Sequence, residues 1–187
     1  DVREVVHGTT VGSNTILQKT GAKTGLITTQ GFRDILEIGR IRTPTMFDLT
    51  WEKPEPLVPR RYRLEVNERM GADGNVVRSL DKTEVVAAGQ YLVDEGVEAV
   101  AICYINSCFN AVHERQTADI LMEKFPELLV TASCDVLSEM KEYERTSTTV
   151  VNAYLLTEMR RYLANLTRNL SNNGMTAPLL VVASSGG

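Results

Sequence analysis

Cysteine is scarce in this sequence and has no pattern. The three residues Cys103, Cys108 and Cys134 are odd in number and contain no CxxC pair, which argues against a cysteine zinc site and against a disulfide framework. Two of them fall in or beside apolar runs and read as plain buried or half-buried thiols. Thiols without a framework, and no signal peptide, fit a reducing cytoplasm. No apolar run is long enough to span a bilayer, so no membrane segment is expected. Positive charge is not in excess: 20 Lys and Arg face 24 Asp and Glu, a formal charge of −4. With no basic stripe, nothing calls for a nucleic-acid partner. Also missing are the Walker lysine loop, GxGxxG, GxSxG and HExxH. Two Asn-X-Ser/Thr sequons, at Asn165 and Asn169, lie in a predicted helix and read as chance.

What is present is an ordinary globular composition, 43% hydrophobic and 24% charged over 187 residues, enough for one sizeable domain or a lobe of a larger one. Arg3 to Val6 reads as a short strand. Val11 to Lys19 reads as a helix stopped by Gly21. "AKTGLITT" reads as a strand, and Gly31 to Ile38 has helical apolar spacing. The stretch from Gly39 to Pro59 carries Pro44, Pro54, Pro56, Pro59 and the only tryptophan, Trp51, and is expected to be a long functional loop. Arg61 to Arg69 alternates as a strand. "GADGN" supplies a hairpin turn and Val76-Val77 starts the returning strand. Asp81 and Glu84 form a helix-start signature for a helix that stops at Gly96. "VEAVAICYI" is apolar throughout, as a buried parallel strand requires. Asn110 caps a helix from Ala111 to Lys124. "LLVTAS" is a further strand, Glu144 to about Leu170 the longest helix, and "APLLVVAS" the last strand. Alternating strands and helices with one inserted hairpin predict an α/β fold, a mostly parallel sheet flanked by helices. The chain enters a strand almost at Asp1 and ends at "VVASSGG" just past another. Both ends read as cut from a longer polypeptide.

In such folds ligands sit at the carboxyl ends of strands. Four segments qualify: "HGTTVGSN" (7–14), "TTQGFRD" (28–34), "KEYERTSTTVVNAY" (141–154) and "SSGG" (184–187). Each has a plainer reading. His7 can be a satisfied structural histidine, and Thr9, Thr10 and Asn14 can simply cap a helix. Arg33 and Asp34 can be an exposed ion pair. Glu142 and Glu144 can favour the positive end of a helix. His113 is expected to be solvated. Yet segments so dense in Gly, Thr, Ser and Asn are also what surrounds a phosphate or a small polar substrate.

The order of these segments is similar to that of a known family. "VVHGTTVGSNTILQKTGAKTGLITTQGFRDILEIGR", "PLVPRRYRLEVNERMGADGNVV", "GVEAVAICYINSCFNAVHE", "EYERTSTTVVNAYL" and "PLLVVASSGG" together resemble the amino-terminal part of the hydantoinase A / 5-oxoprolinase family. That family includes N-methylhydantoinases, 5-oxoprolinases and subunits of acetone and acetophenone carboxylases. The resemblance covers essentially the whole chain. It implies part of an actin- and sugar-kinase-like ATPase fold, with residues 1–140 as the amino-terminal region and 141–187 as the start of the core domain. It also implies that two glycine-rich phosphate motifs flank this interval. ATP and Mg²⁺ are then cofactors of the full-length parent, with neither expected on the isolated fragment. The sequence departs from the family where Asn106-Ser107 replaces His-Ser and where Leu156-Thr157 stands at the place, just after "NAYL", at which the family often has a proline.

The implied reaction is ATP-dependent opening of a cyclic amide, a hydantoin or 5-oxoproline type, by phosphoryl transfer to the amide oxygen and attack by water. Residue chemistry then gives expected roles. His7, Gly8, Thr9, Thr10 and Asn14, with Ser185 and Gly186, face substrate or phosphate. Arg145 neutralises developing charge, with Glu142 or Glu144 holding it or orienting water. Arg40 and Arg42 bind a substrate carboxylate. No protein metal site is expected. Lysine in place of Arg145 is expected to reduce turnover while leaving stability nearly unchanged. A second hydantoinase B-type subunit or domain is the expected partner. Two alternatives stay open: an assembly lobe or carboxylase subunit without its own catalysis, and a sugar-kinase-like enzyme of the same superfold.

Overall fold

The computed structural model describes residues 2–40 and 50–182, which divide into two bodies. One is Ala22–Tyr154; the other combines Asp1–Gly21 with Leu155–Gly187.

The larger body is built on four parallel strands: β2 (Thr24–Thr29), β3 (Arg63–Val66), β6 (Ala99–Cys103) and β7 (Leu129–Ala132), in the order β3-β2-β6-β7. Every residue of β2 and β6 is buried, which explains why "VAIC" has no polar alternation: helices cover both faces of a parallel sheet. The threonines of β2 are tolerated because their hydroxyls are used; Thr24 donates to Ala22 O and Thr28 to Cys103 O, each over 2.8 Å. Helix α3 (Lys82–Asp94) leads into β6, and α4 (Val112–Lys124) links β6 to β7. The α3 start is as predicted, with Asp81 accepting from the N–H groups of Thr83 and Glu84. Gly89 lets α3 approach α4, since a Cβ there would lie 2.5 Å from the Phe125 ring. The fold is therefore the expected α/β arrangement, a mostly parallel sheet with an inserted β-hairpin. Among the described residues no helix is long and apolar enough to cross a membrane.

Two elements differ from the sequence reading. The predicted strand Arg61–Arg69 is broken. Its first part is β3, and only β4 (Arg69–Met70) pairs antiparallel with β5 (Val76–Arg78). The chain leaves the sheet at Asn67 because its peptide groups have other partners: Asn67 N–H donates to Glu84 Oε2 over 2.7 Å, and Asn67 O accepts from Asp81 N–H. The helix expected over Gly31–Ile38 shrinks to one turn, α2 (Ile35–Ile38). Gly31 has a φ of +89°, and the Gly31 and Arg33 N–H groups go to the Glu65 carboxylate rather than to helical carbonyls.

The hairpin turn is at Asp73-Gly74. Asp73 accepts from Asn75 N–H, and Gly74 has a φ of +79°. Gly74→Ala is expected to lower stability by about 1–2 kcal/mol, the cost of forcing an L-residue into left-handed backbone, without changing activity in a longer protein. Urea denaturation checks the first part. Lost activity at unchanged stability would give this turn a role it lacks here.

The second body pairs β1 (Val5–His7) in parallel with β8 (Leu179–Val181) and contains α1 (Val11–Gln18). It also takes the part of α6 (Glu142–Asn172) that follows Leu155. α1 ends before the predicted Gly21 stop, with Lys19 in the left-handed conformation at a φ of 55°.

Candidate functional site

The carboxyl ends of β2, β6 and β7 carry a buried polar cluster that sequence reasoning did not anticipate. Two glutamates organise it, both almost fully enclosed. Glu68, in the link between β3 and β4, accepts from the Thr29 hydroxyl and, over 2.7 Å, from Nδ1 of His113. Thr29 Oγ in turn accepts from Ile105 N–H at 2.9 Å. Glu114, in the first turn of α4, accepts from Tyr104 N–H (2.9 Å), the Ser133 hydroxyl (2.7 Å) and Cys134 N–H (2.8 Å). A buried carboxylate needs this many donors, because its charge is otherwise unscreened. The two glutamates thereby fix the loops that leave all three strands. His113 is not solvated as expected: it is 5% exposed, and its position in the first turn of α4 turns it toward Glu68. The sequence signal for the cluster is weak. Two acidic residues at strand and helix ends look like surface groups until the sheet is assembled around them.

The loop after β6 is held further. Asn106, which stands in left-handed backbone at a φ of 62°, donates from Nδ2 to Met70 O over 2.9 Å. Asparagine tolerates that conformation better than most residues. Burial pushes the Cys103 thiol up against the opposing pull of Arg145. Burial and the Glu114 and Asp135 carboxylates push the Cys134 thiol up to about 12. Cys134 therefore stays protonated at neutral pH, and alkylation by iodoacetamide at pH 8 is expected to be much slower than for an ordinary thiol, since the thiolate is the nucleophile. Peptide mass spectrometry over time checks this; labelling at the rate of a free thiol would contradict it.

Arg145 is 1% exposed. Its guanidinium donates to Tyr104 O (2.7 Å), Glu139 O (2.9 Å) and the Cys103 sulfur (3.5 Å). Neither Glu142 nor Glu144 holds it. Adjacent residues on a helix point in different directions, so Glu144 turns away and pairs with Arg40 instead. The Glu144 carboxyl is held below its usual range by its own backbone N–H and by Arg40. Glu142 stands half-buried in the same first turn. Arg33 and Asp34 do not form the expected pair: Asp34 takes Arg60, through two bonds of 2.8 and 2.9 Å, which keeps its carboxyl below the ordinary range.

In the second body, Nε2 of His7 lies 2.6 Å from the Tyr162 hydroxyl. Thr9 Oγ accepts from Val11 N–H at 3.2 Å, and Thr10 Oγ from Asn14 Nδ2 at 3.5 Å. Gly8 has no atom within 4 Å of the place a Cβ would occupy, so the turn has open space beside it. Arg42, Ser185 and Gly186 lie outside the described residues. Among the described residues, no three His, Cys, Asp or Glu side chains come together as a metal site.

Comparison with known proteins adds the following. A family model described as "Hydantoinase/oxoprolinase N-terminal region" matches residues 1–125, and one described as "Hydantoinase/oxoprolinase" matches residues 145–187. The alpha subunit of a caprolactamase from Pseudomonas jessenii is 36% identical over 184 residues, 97% of this chain and 26% of that subunit. The crystal structure of the ATP-dependent caprolactamase from Pseudomonas jessenii matches with a TM-score of 0.93 at 35% identity, over 100% of this chain and 27% of that one. A nucleotide-free structure of acetone carboxylase matches with a TM-score of 0.87 at 28% identity, over 98% of this chain and 28% of that one. The chain spans about a quarter of the length of the relatives it matches.

Proposed function

This chain belongs to the hydantoinase/oxoprolinase family, and from that premise we propose that, within a longer protein, it forms part of an ATP-dependent amidohydrolase that opens a cyclic amide of the hydantoin or 5-oxoproline type. The single observation that carries the reading is the match to an ATP-dependent caprolactamase over the full length of this chain. In that protein residues 1–140 make up the amino-terminal region and 141–187 begin the core domain. The protein works in the cytoplasm with a hydantoinase B-type subunit or domain as partner.

ATP, with Mg²⁺ on its phosphates, supplies the phosphoryl group that makes the amide carbon attackable by water. Everything else falls to positioning and charge stabilisation. Gly8, Thr9 and Thr10 fit an anionic group: the turn has open space at Gly8, and α1 has no acidic residue in its first turn. His7 is oriented through Tyr162. Arg145 acts through the carbonyls of Tyr104 and Glu139 that it holds, and so is a positioning residue for the loop after β6. Glu142 and the Arg40–Glu144 pair stand at the start of α6 for contact with substrate or water.

A second reading has support of its own: the acetone carboxylase match fits a lobe that serves assembly or carboxylation. Replacing His7, Thr9 and Thr10 by alanine in the longer protein separates the two. Loss of ATP turnover with intact assembly supports the hydrolase reading. Loss of assembly with turnover intact supports the other.

A further inference from the structure

A cavity of about 580 Å³ opens in the larger body between α2, the proline-rich stretch before β3 and the first turns of α6. Its size is that of a small-molecule site, and no residue of the buried cluster lines it. Its walls are apolar and flat: Leu36, Pro54, Trp51 and the Tyr143 ring. Two cations, Arg40 and Lys53, face it against one carboxylate, Glu55. Arg40 gives Nε and one terminal nitrogen to Glu144, which fixes its planar head; the other terminal nitrogen has no partner among the described residues. Lys53 has no ion-pair or hydrogen-bond partner among the described residues. Its ammonium is placed all the same: a Cβ built at Gly39 would lie 3.6 Å from Lys53 Nζ and 3.6 Å from the Tyr143 ring. Gly39, at a φ of +57°, is thus a bare floor on which the ammonium and the aromatic ring converge, and any side chain there would occupy the space between them.

Resting on the reading of the chain as part of a cyclic-amide hydrolase, we propose that this cavity is its substrate subsite and that it selects a cyclic amide carrying a carboxylate over a neutral lactam. The apolar walls take a small ring, Trp51 and Tyr143 lie against it, and the carboxylate goes to Lys53 and the remaining Arg40 nitrogen. A neutral lactam would leave the Lys53 ammonium without a paired carboxylate; Arg40 keeps Glu144 in either case.

Trp51 is the only tryptophan, so its fluorescence reports on the cavity directly. The full 187-residue chain is titrated with 5-oxo-L-proline and with 2-pyrrolidinone, the same ring without the carboxylate. A saturable response to 5-oxo-L-proline is expected, at least about tenfold tighter than to 2-pyrrolidinone, as loss of a charge-assisted contact implies. Lys53→Ala is expected to remove that preference; Lys53 is exposed, so circular dichroism should show an unchanged fold. Equal affinity for the two compounds, no response to either, or a preference that survives Lys53→Ala overturns the inference. The reaction is tested apart from it in the longer protein. Lactam-stimulated ATP turnover whose KM for 5-oxo-L-proline is unmoved by Lys53→Ala sinks the subsite and leaves the reaction standing. Selective binding without any lactam-stimulated turnover keeps the subsite and sinks the reaction.

Discussion

Glu114→Ala is expected to lower the stability of the larger body by about 3–5 kcal/mol, among the largest effects a single substitution produces. Glu114 is 0% exposed and accepts from Tyr104 N–H, Ser133 Oγ and Cys134 N–H. Alanine leaves three donors in the interior with nothing to bond, each costing about 1–3 kcal/mol, and a cavity that relaxes only in part. Glu114→Gln keeps the volume but turns one acceptor into a donor facing those same donors. It should cost less than alanine and still more than about 1 kcal/mol. Urea midpoints for the two variants check this. A midpoint unchanged in both would mean that Glu114 does not bind the ends of β6 and β7 together.

Arg145→Lys is the second large effect, and here the structure revises the expectation from sequence. A surface arginine would exchange with little change in stability. This one is enclosed and bridges Tyr104 O and Glu139 O through different nitrogens. Lysine has a single nitrogen and cannot span both. A stability loss of about 2–4 kcal/mol is expected from the freed carbonyls and the poorly placed charge. As a positioning residue it should also reduce turnover in the longer protein by roughly tenfold or more, about 1.4 kcal/mol of transition-state stabilisation. The loss belongs in kcat, because KM follows substrate contacts that Arg145 does not make. An unmoved denaturation midpoint contradicts the enclosure. Normal kcat in a folded variant contradicts the positioning role.

The parallel sheet was legible because its signals are local and repeated. "VAIC" admits no polar alternation, and Asp81 with Glu84 marks the α3 start without reference to anything distant. The break at Asn67 was not legible. It depends on Glu84, Asp81 and Glu68, which lie elsewhere in the sequence or turn inward only once α4 is in place. The same holds for the site. Arg145, Glu144 and Arg40 could be picked out as chemically able groups, but their pairing could not, because it follows from the rotation of α6 against the sheet. Glu68 and Glu114 were missed, and His113 was read as solvated, for a related reason: such residues normally lie at the surface, and only converging partners, two on Glu68 and three on Glu114, make burial tolerable.

The proposed activity stands or falls on whether cyclic-amide opening draws on ATP. The most direct measurement counts phosphate released against rings opened in the longer protein that carries this chain, with 5-oxo-L-proline as substrate. Phosphoryl activation predicts a ratio of about one and no ring opening without nucleotide or with a non-hydrolysable analogue. Ring opening at the same rate in the absence of ATP would contradict it.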